Sequence, residues 1–379
     1  MFKKSLLAVA VLGTAAGFAC AADVTLYGIV DTGLIYKSNK VTLEGVELAD
    51  EKSFSLDSGV SSASRFGLKG TEDLGNGLKV GFVLENSFNS DDGSLGHSGR
   101  LFGREASLSV MGDFGKLSMG RMGGIGGAAG SYDVVFATAD AFDGGDNAIL
   151  GLAKSDRFDN MITYQTPKFA GVQGTFQYSF KQDNKEDADY REGSAATDRY
   201  ASAALTGEFG QLNTVLGYEF FNWASNDGKP NTATDIDDGH IVYLGGNYDC
   251  GFAKTFVMAQ YFKDVGIGNL LQNEDAIKAL DADENFKGYG LHLGTIVPVA
   301  GGDFTVGAYY VDAEYDFKVD GAANADVKYY GLAAKYEYPL SKRTSVYTGA
   351  GYSQTKADLN DIDAKEKNAQ AYVGLTHRF

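Results

Sequence analysis

LKVGFVLE, residues 78–85, decides the fold. Leu78, Val80, Phe82 and Leu84 fall on one face of an extended chain, and Lys79, Gly81, Val83 and Glu85 on the other. Successive side chains of a strand point to opposite sides, so one face is apolar throughout while the other carries charge and glycine. A soluble sandwich would bury the apolar face under a second sheet. A transmembrane barrel turns it to lipid and lines water with the polar face.

The same alternation recurs on either side of this stretch. It predicts sixteen strands, near 23–37, 60–72, 77–88, 101–111, 115–122, 157–166, 172–181, 198–208, 211–222, 239–249, 253–263, 287–298, 303–314, 326–338, 343–354 and 368–379. Short connections such as Leu74-Gly75-Asn76, Phe209-Gly210 and Cys250-Gly251 take turns with long polar ones. Outer-membrane barrels have short periplasmic turns and longer outer loops, so an even count leaves both termini on the periplasmic side. A sheet in lipid must also close, because unpaired edges would leave backbone groups unmet. Pro167, Pro230 and Pro339 fall in connections and Pro298 ends a strand, as a residue without an N–H requires.

Composition agrees with an exported barrel. Glycine is 50 of 379 residues and proline only 4, against ordinary usage of about 7% and 5%. There are 22 Tyr and 24 Phe but one Trp. A net charge of −17 argues against nucleic acid as a partner, since phosphates need a basic footprint. Lys3 and Lys4, the apolar run Leu6–Ala16 and the small-x-small site Ala19-Cys20-Ala21 read as a signal peptide, 1–21, ahead of a barrel domain, 22–379. The alternative is a lipoprotein anchored at Cys20, against which Gly17-Phe18-Ala19 stands as a poor lead-in. After the signal no run of 18 apolar residues follows, so no helix of membrane-spanning length is expected. Cys250 alone survives the cut, so no disulfide within the chain is expected.

These residues resemble the Gram-negative general porins of the β-proteobacterial and neisserial type. DVTLYGIVDTGLIY (23–36) is similar to their first strand, and SRFGLKGTEDLGNGLKVGFVLENSF (64–88) to their second and third. LFGREASLSVMGDFGKLSMGR (101–121), RFDNMITYQTPKFAG (157–171), PLSKRTSVYTGAGY (339–352) and the closing VGLTHRF continue the match along the whole mature chain. The resemblance implies an all-β, sixteen-stranded antiparallel barrel in the cell outer membrane, a homotrimer, and a third outer loop folded into the lumen. It implies no enzyme. Passive passage of small hydrophilic solutes and ions is the expected function; the alternative is a substrate-specific channel with one internal site. A hydrolase would need a nucleophile–base pair, which four scattered histidines make hard to assemble. An adhesin would need a folded outer domain, and no connection is long enough.

The third outer connection, Met122 to Asp156, carries Val134, Val135, Phe136, Ile149 and Leu150. A loop in bulk water has no use for them, whereas one packed on the inner wall does. Within the matched motifs the family's basic constriction maps onto Arg65, Arg104 and Arg157, with Arg121 as a fourth candidate. Arginine suits that role because it keeps its proton even beside other cations. Glu85, placed in the lumen by alternation, and the loop acids Asp133, Asp140 and Asp143 are the expected opposing charges. The plainer reading is that these arginines solvate the wall or anchor the loop. Strict alternation sets Arg104 on the face of Ala106, Leu108 and Val110, so either a bulge intervenes or the face is misread. Most of the acids fall in outer loops, where salt screens them, so the wall arginines tip the expectation towards anions.

Phe379 closes an apolar alternation with Ala371, Val373, Leu375 and His377, the pattern that the barrel-assembly machinery reads in this family. An ordinary terminal strand would be the bland alternative. No cofactor is expected, and His97, His240, His292 and His377 lack metal-ligand spacing. The acidic runs Asp235–Asp238 and Asp281–Glu284 are either a solvated surface or holders of divalent cations bridging to lipopolysaccharide. Outer-membrane lipid and lipopolysaccharide are the remaining expected partners.

Overall fold

The structure, a computed structural model, describes residues 23–127, 130–144, 149–184, 191–194, 197–223, 237–267, 285–316, 324–359 and 362–379. The expected signal peptide and Pro230 lie outside them. Seventeen antiparallel strands form one sheet: β1 (Asp23–Leu43), β2 (Val46–Ser58), β3 (Arg65–Gly75), β4 (Leu78–Ser87), β5 (Glu105–Gly112), β6 (Gly115–Gly123), β7 (Arg157–Gln165), β8 (Val172–Ser179), β9 (Arg199–Phe209), β10 (Leu212–Asn222), β11 (Gly239–Asp249), β12 (Lys254–Val265), β13 (Phe286–Val299), β14 (Gly302–Tyr315), β15 (Ala325–Pro339), β16 (Thr344–Leu359) and β17 (Ile362–Arg378).

Sixteen of these strands make a closed ring. Each pairs with its sequence neighbour from β3 to β17, and β1 closes the circle against β3 (Asp23↔Thr71) and β17 (Ile29↔Arg378). The extra strand, β2, pairs along the far half of β1, from Thr32↔Ser58 to Leu43↔Val46. The first strand therefore runs past the expected residue 37, and residues 46–58, expected as loop, continue as strand. Glu44 and Gly45, with φ of 49° and 77°, make the tight turn between them. Positive φ at both central residues matches the twist of flanking strands, which is why such a pair closes a two-residue hairpin.

The burial pattern is inverted relative to a soluble protein. On β11 Val242 and Leu244 are exposed while Ile241 and Tyr243 are enclosed; on β13 Leu291 and Leu293 are exposed while His292 is enclosed. Apolar residues on the outside of a closed sheet have lipid as their only favourable surroundings. The enclosed set packs against the segment between β6 and β7. Ile125, Val135, Phe136, Ile149, Leu150 and Leu152 share one cluster with Tyr200, Val215, Tyr243, Met258 and Tyr329 of the strands.

Glycines make room for that contact. A Cβ at Gly245 would stand 2.6 Å from Cβ of Ala139, and one at Gly351 2.5 Å from Cγ1 of Ile149. Much of the glycine excess on β10–β16 thus serves close approach. Gly245→Leu should cost about 1–3 kcal/mol by overpacking and loosen the segment around Ala139. Thermal unfolding together with limited proteolysis reads both, and an unchanged midpoint with unchanged cleavage would refute the seating.

Candidate functional site

One arc of the ring, β1 and β3 to β7, gathers the cations. Gly67 stands between Tyr27 and Glu85 in register, and a Cβ there would meet the Tyr27 ring at 2.7 Å. The ring crosses that space, and its hydroxyl donates to Glu85 Oε2 at 2.9 Å. Arg104 Nε donates to Glu85 Oε1 at 2.6 Å. Glu85 faces Glu105 directly across the ladder, an arrangement that is costly unless each acid has partners. Arg104 serves Glu85, while Ser107 and Ser131 hydroxyls donate to Glu105.

Glu85 therefore sits beside Arg104 on the same wall and does not oppose it. Arg104 reaches the inside because β5 begins only at Glu105 and residues 101–104 form a turn. The alternation that would have turned it towards lipid does not extend to it. Ala106 and Leu108 keep the outward face, with Glu105, Ser107 and Ser109 buried.

Arg121 donates to Asp159 Oδ1 at 2.7 Å and to the Gly103 carbonyl at 2.8 Å. Arg100, which the sequence did not single out, bonds Asp159 Oδ2 at 3.2 Å and Asp183. These two arginines hold the second outer connection against β7. Arg65 bonds the Ala63 carbonyl at 3.3 Å, and Arg157 has Asp156 at 3.6 Å. His97 reports how closely the cations crowd: its imidazole is pushed down to about 4, first by burial and then by Arg157, with Arg104 and Arg121 adding.

The three loop acids part company. Asp140 is fully enclosed: it accepts from Tyr309 Oη at 2.8 Å and from the amides of Phe142 and Gly144, with His292 Nε2 at 3.2 Å. It fastens the segment to β13 and β14 and does not reach the lumen. Asp133 is buried and caps the helical turn Phe136–Ala139 through the Phe136 amide at 3.1 Å. Asp143 is exposed, on backbone with φ of 51°. Inside a barrel a group can touch water and still be surrounded by protein. Desolvation raises the Asp143 carboxyl above its ordinary range, Asp140 adds to the rise, and Asp133 and Arg65 oppose it. Lys154 and Asp156 of the same segment are also exposed and were not anticipated.

The fastenings of this segment escaped the sequence as well. Glu219, fully enclosed on β10, accepts from Tyr200 and Tyr243 hydroxyls, the latter at 2.7 Å, and from the Gly126 amide at 3.1 Å. An acid at an inward position of a pore wall reads as a lumen charge; only its partners reveal an anchor. Farther along, the Tyr329 hydroxyl donates to the Ile149 carbonyl and Asn247 to that of Thr138.

Phe379 pairs its backbone with Gly28 in both directions at 3.0 Å, and its exposed ring lies over Gly28. Among the described residues no cluster of three His, Cys, Asp or Glu side chains could hold a metal. Asp281–Glu284 and Asp235 lie outside those residues. Asp238 bonds Asn222 and Asp237 stands 4.0 Å from Lys263.

A family described as Gram-negative porin matches residues 8–358. An outer membrane porin protein of Bordetella pertussis is 34% identical over the full length of both chains, and outer membrane porin protein 32 of Delftia acidovorans is 32% identical, also over both. Among solved structures an anion-selective porin from Comamonas acidovorans superposes with a TM-score of 0.65 at 26% identity, covering 95% of this chain and all of the other. The trimer form of OmpT from Vibrio cholerae shares the fold at a TM-score of 0.54, 19% identity, and coverage of 93% and 99%.

Proposed function

The chain belongs to the Gram-negative porin family and forms an outer-membrane channel; on that basis we propose a diffusion pore whose narrowest part sets wall arginines against the carboxylate of Asp143. Arg65 and Arg157 supply the field on the wall. Arg104 is balanced by Glu85, and Arg121 and Arg100 by Asp159 and Asp183. The carrying observation is that Asp143 is the exposed member of the three loop acids, while Asp133 and Asp140 are buried. Cations fixed on one side and an anion on the other make a transverse field that polar solutes tolerate and bulky apolar ones do not.

With two of the three loop acids enclosed, the balance near the solute favours anions, in keeping with the likeness to an anion-selective porin. In this reading residues 1–21 direct export, three copies assemble, and Phe379 marks the chain for barrel assembly. The test is single-channel conductance in a planar bilayer with the zero-current potential in a salt gradient. An anion-favouring potential is expected, and a cation-favouring one would overturn the arginine control.

Acidification adds a second readout. The raised Asp143 carboxyl loses its charge at a higher pH than an ordinary carboxylate, so anion preference should rise first in that window. Asp143→Asn should show the higher preference at neutral pH and little further change there. If both proteins respond alike, Asp143 does not face the solute.

A further inference from the structure

The ladder between β1 and its returning neighbour is interrupted at one place. Thr32 pairs with Ser58 and Ile29 with Arg65, so Val30 and Asp31 of β1 stand opposite six residues, 59–64. The surplus chain has to leave the sheet, and it leaves inwards. Val60 is buried in one cluster with Ile35, Tyr347 and Tyr372. Leu34 and Tyr36 beside Ile35, and Val373 beside Tyr372, are exposed on the outer face, so that cluster lies on the inner one. Ser61 reaches farther still: its hydroxyl accepts from Nζ of Lys335 at 3.1 Å, on β15, three strands round the ring from β1. The cluster shares no residue with the one that seats the segment between β6 and β7. Two separate pieces of chain therefore rest on the inner wall.

Asp31 holds the first of them. Its carboxylate is fully enclosed and accepts from the Tyr347 hydroxyl at 2.8 Å, the Thr376 hydroxyl at 2.5 Å and the Ser61 amide at 3.2 Å. Two donors come from the wall and one from the inserted chain, so the carboxylate rivets one to the other. An enclosed carboxylate is tolerable only when donors meet it in this way. The Asp31 backbone carbonyl closes both ends of the insertion, accepting from the Gly59 amide at 2.9 Å and the Ser64 hydroxyl at 3.0 Å. Gly59, at φ of 68°, turns so tightly that a Cβ would stand 3.0 Å from Cα of Ala63.

Arg65 follows directly, and its guanidinium donates to the carbonyl of Ala63, an exposed residue of the insertion. A neutral carbonyl directs a guanidinium without offsetting its charge, whereas Glu85 offsets that of Arg104. We propose that residues 59–64 form a second lip of the aperture and that Asp31 is a positioning residue, holding through this lip the direction of Arg65. The role of Asp31 rests on the reading of Arg65 as a pore charge; the lip does not.

The test is the zero-current potential of the full protein in a planar bilayer. In a Cys250→Ser background, Ala63→Cys is labelled with a cationic or an anionic thiosulfonate. A charge added about 6 Å from the ion path should raise or lower the anion-to-cation ratio about tenfold according to its sign. An unchanged potential, with labelling confirmed by mass, would overturn the lip. Val60→Ala with Tyr347→Phe then loosens the lip without altering any charge. An arginine retreating from about 6 to about 9 Å should lower the ratio about twofold. The same pair of substitutions should have no effect once Arg65→Ala is present; a twofold loss that persists there would overturn the role of Asp31. Val60→Ala alone, which keeps every hydrogen bond, should act in the same direction, with folding checked by heat-modifiable gel mobility. An unchanged ratio in Arg65→Ala alone would overturn the arginine control and the role of Asp31 with it, while the label still reads the lip.

Discussion

Replacing Arg65 and Arg157 by alanine is expected to lower the anion-to-cation permeability ratio by about tenfold for each residue. A unit charge about 6 Å from an ion in water-like surroundings changes its energy by about 0.7 kcal/mol, in opposite senses for the two signs. The two effects multiply in the ratio. Arg65 bonds a backbone carbonyl and Arg157 stands 3.6 Å from Asp156, whereas Arg104 and Arg121 sit in closer pairs with Glu85 and Asp159. Arg121→Ala should behave differently, because it removes a partner of the enclosed Asp159 and so affects stability more than selectivity. The zero-current potential in dilute salt separates the two. Unchanged selectivity in the Arg65→Ala, Arg157→Ala double variant would remove these residues from the constriction.

The largest structural effect is expected from Glu219→Ala combined with Asp140→Ala. The first removes the acceptor of two tyrosine hydroxyls and of the Gly126 amide, and the second removes an acceptor of the Tyr309 hydroxyl and of the Phe142 and Gly144 amides. Unmet buried donors cost about 1–3 kcal/mol each, enough to detach the segment between β6 and β7 while the strand ladder persists. Higher conductance with noisier open levels is the expected record, alongside faster proteolysis within 124–156 and a barrel that still migrates as folded. Native-like conductance in a folded double variant would show that this segment neither depends on these anchors nor limits flow.

The barrel was legible from alternation alone. A pattern such as that of residues 78–85 depends only on which face each residue takes, and lipid outside with water inside selects it strand by strand. The inward placement of Glu85 follows from it, because a slip by one residue would turn every apolar side chain into the lumen, and closure follows from the need to leave no strand edge unpaired in lipid. The pattern says nothing where the chain leaves the ladder. Arg104 lies one residue before β5, so its direction was set by a turn. Glu44-Gly45 extended the first hairpin through residues whose mixed charge reads as loop.

Charge roles emerged only on folding. Glu85, Asp140 and Glu219 are all acids at enclosed or inward places, yet one balances Arg104 and two fasten a loop. What distinguishes them is the set of donors brought from 19 to 169 residues away. A carboxylate is a pore charge or an anchor according to whether folding leaves it water or hydrogen-bond donors, and that choice is written in distances between strands rather than in any local run of residues.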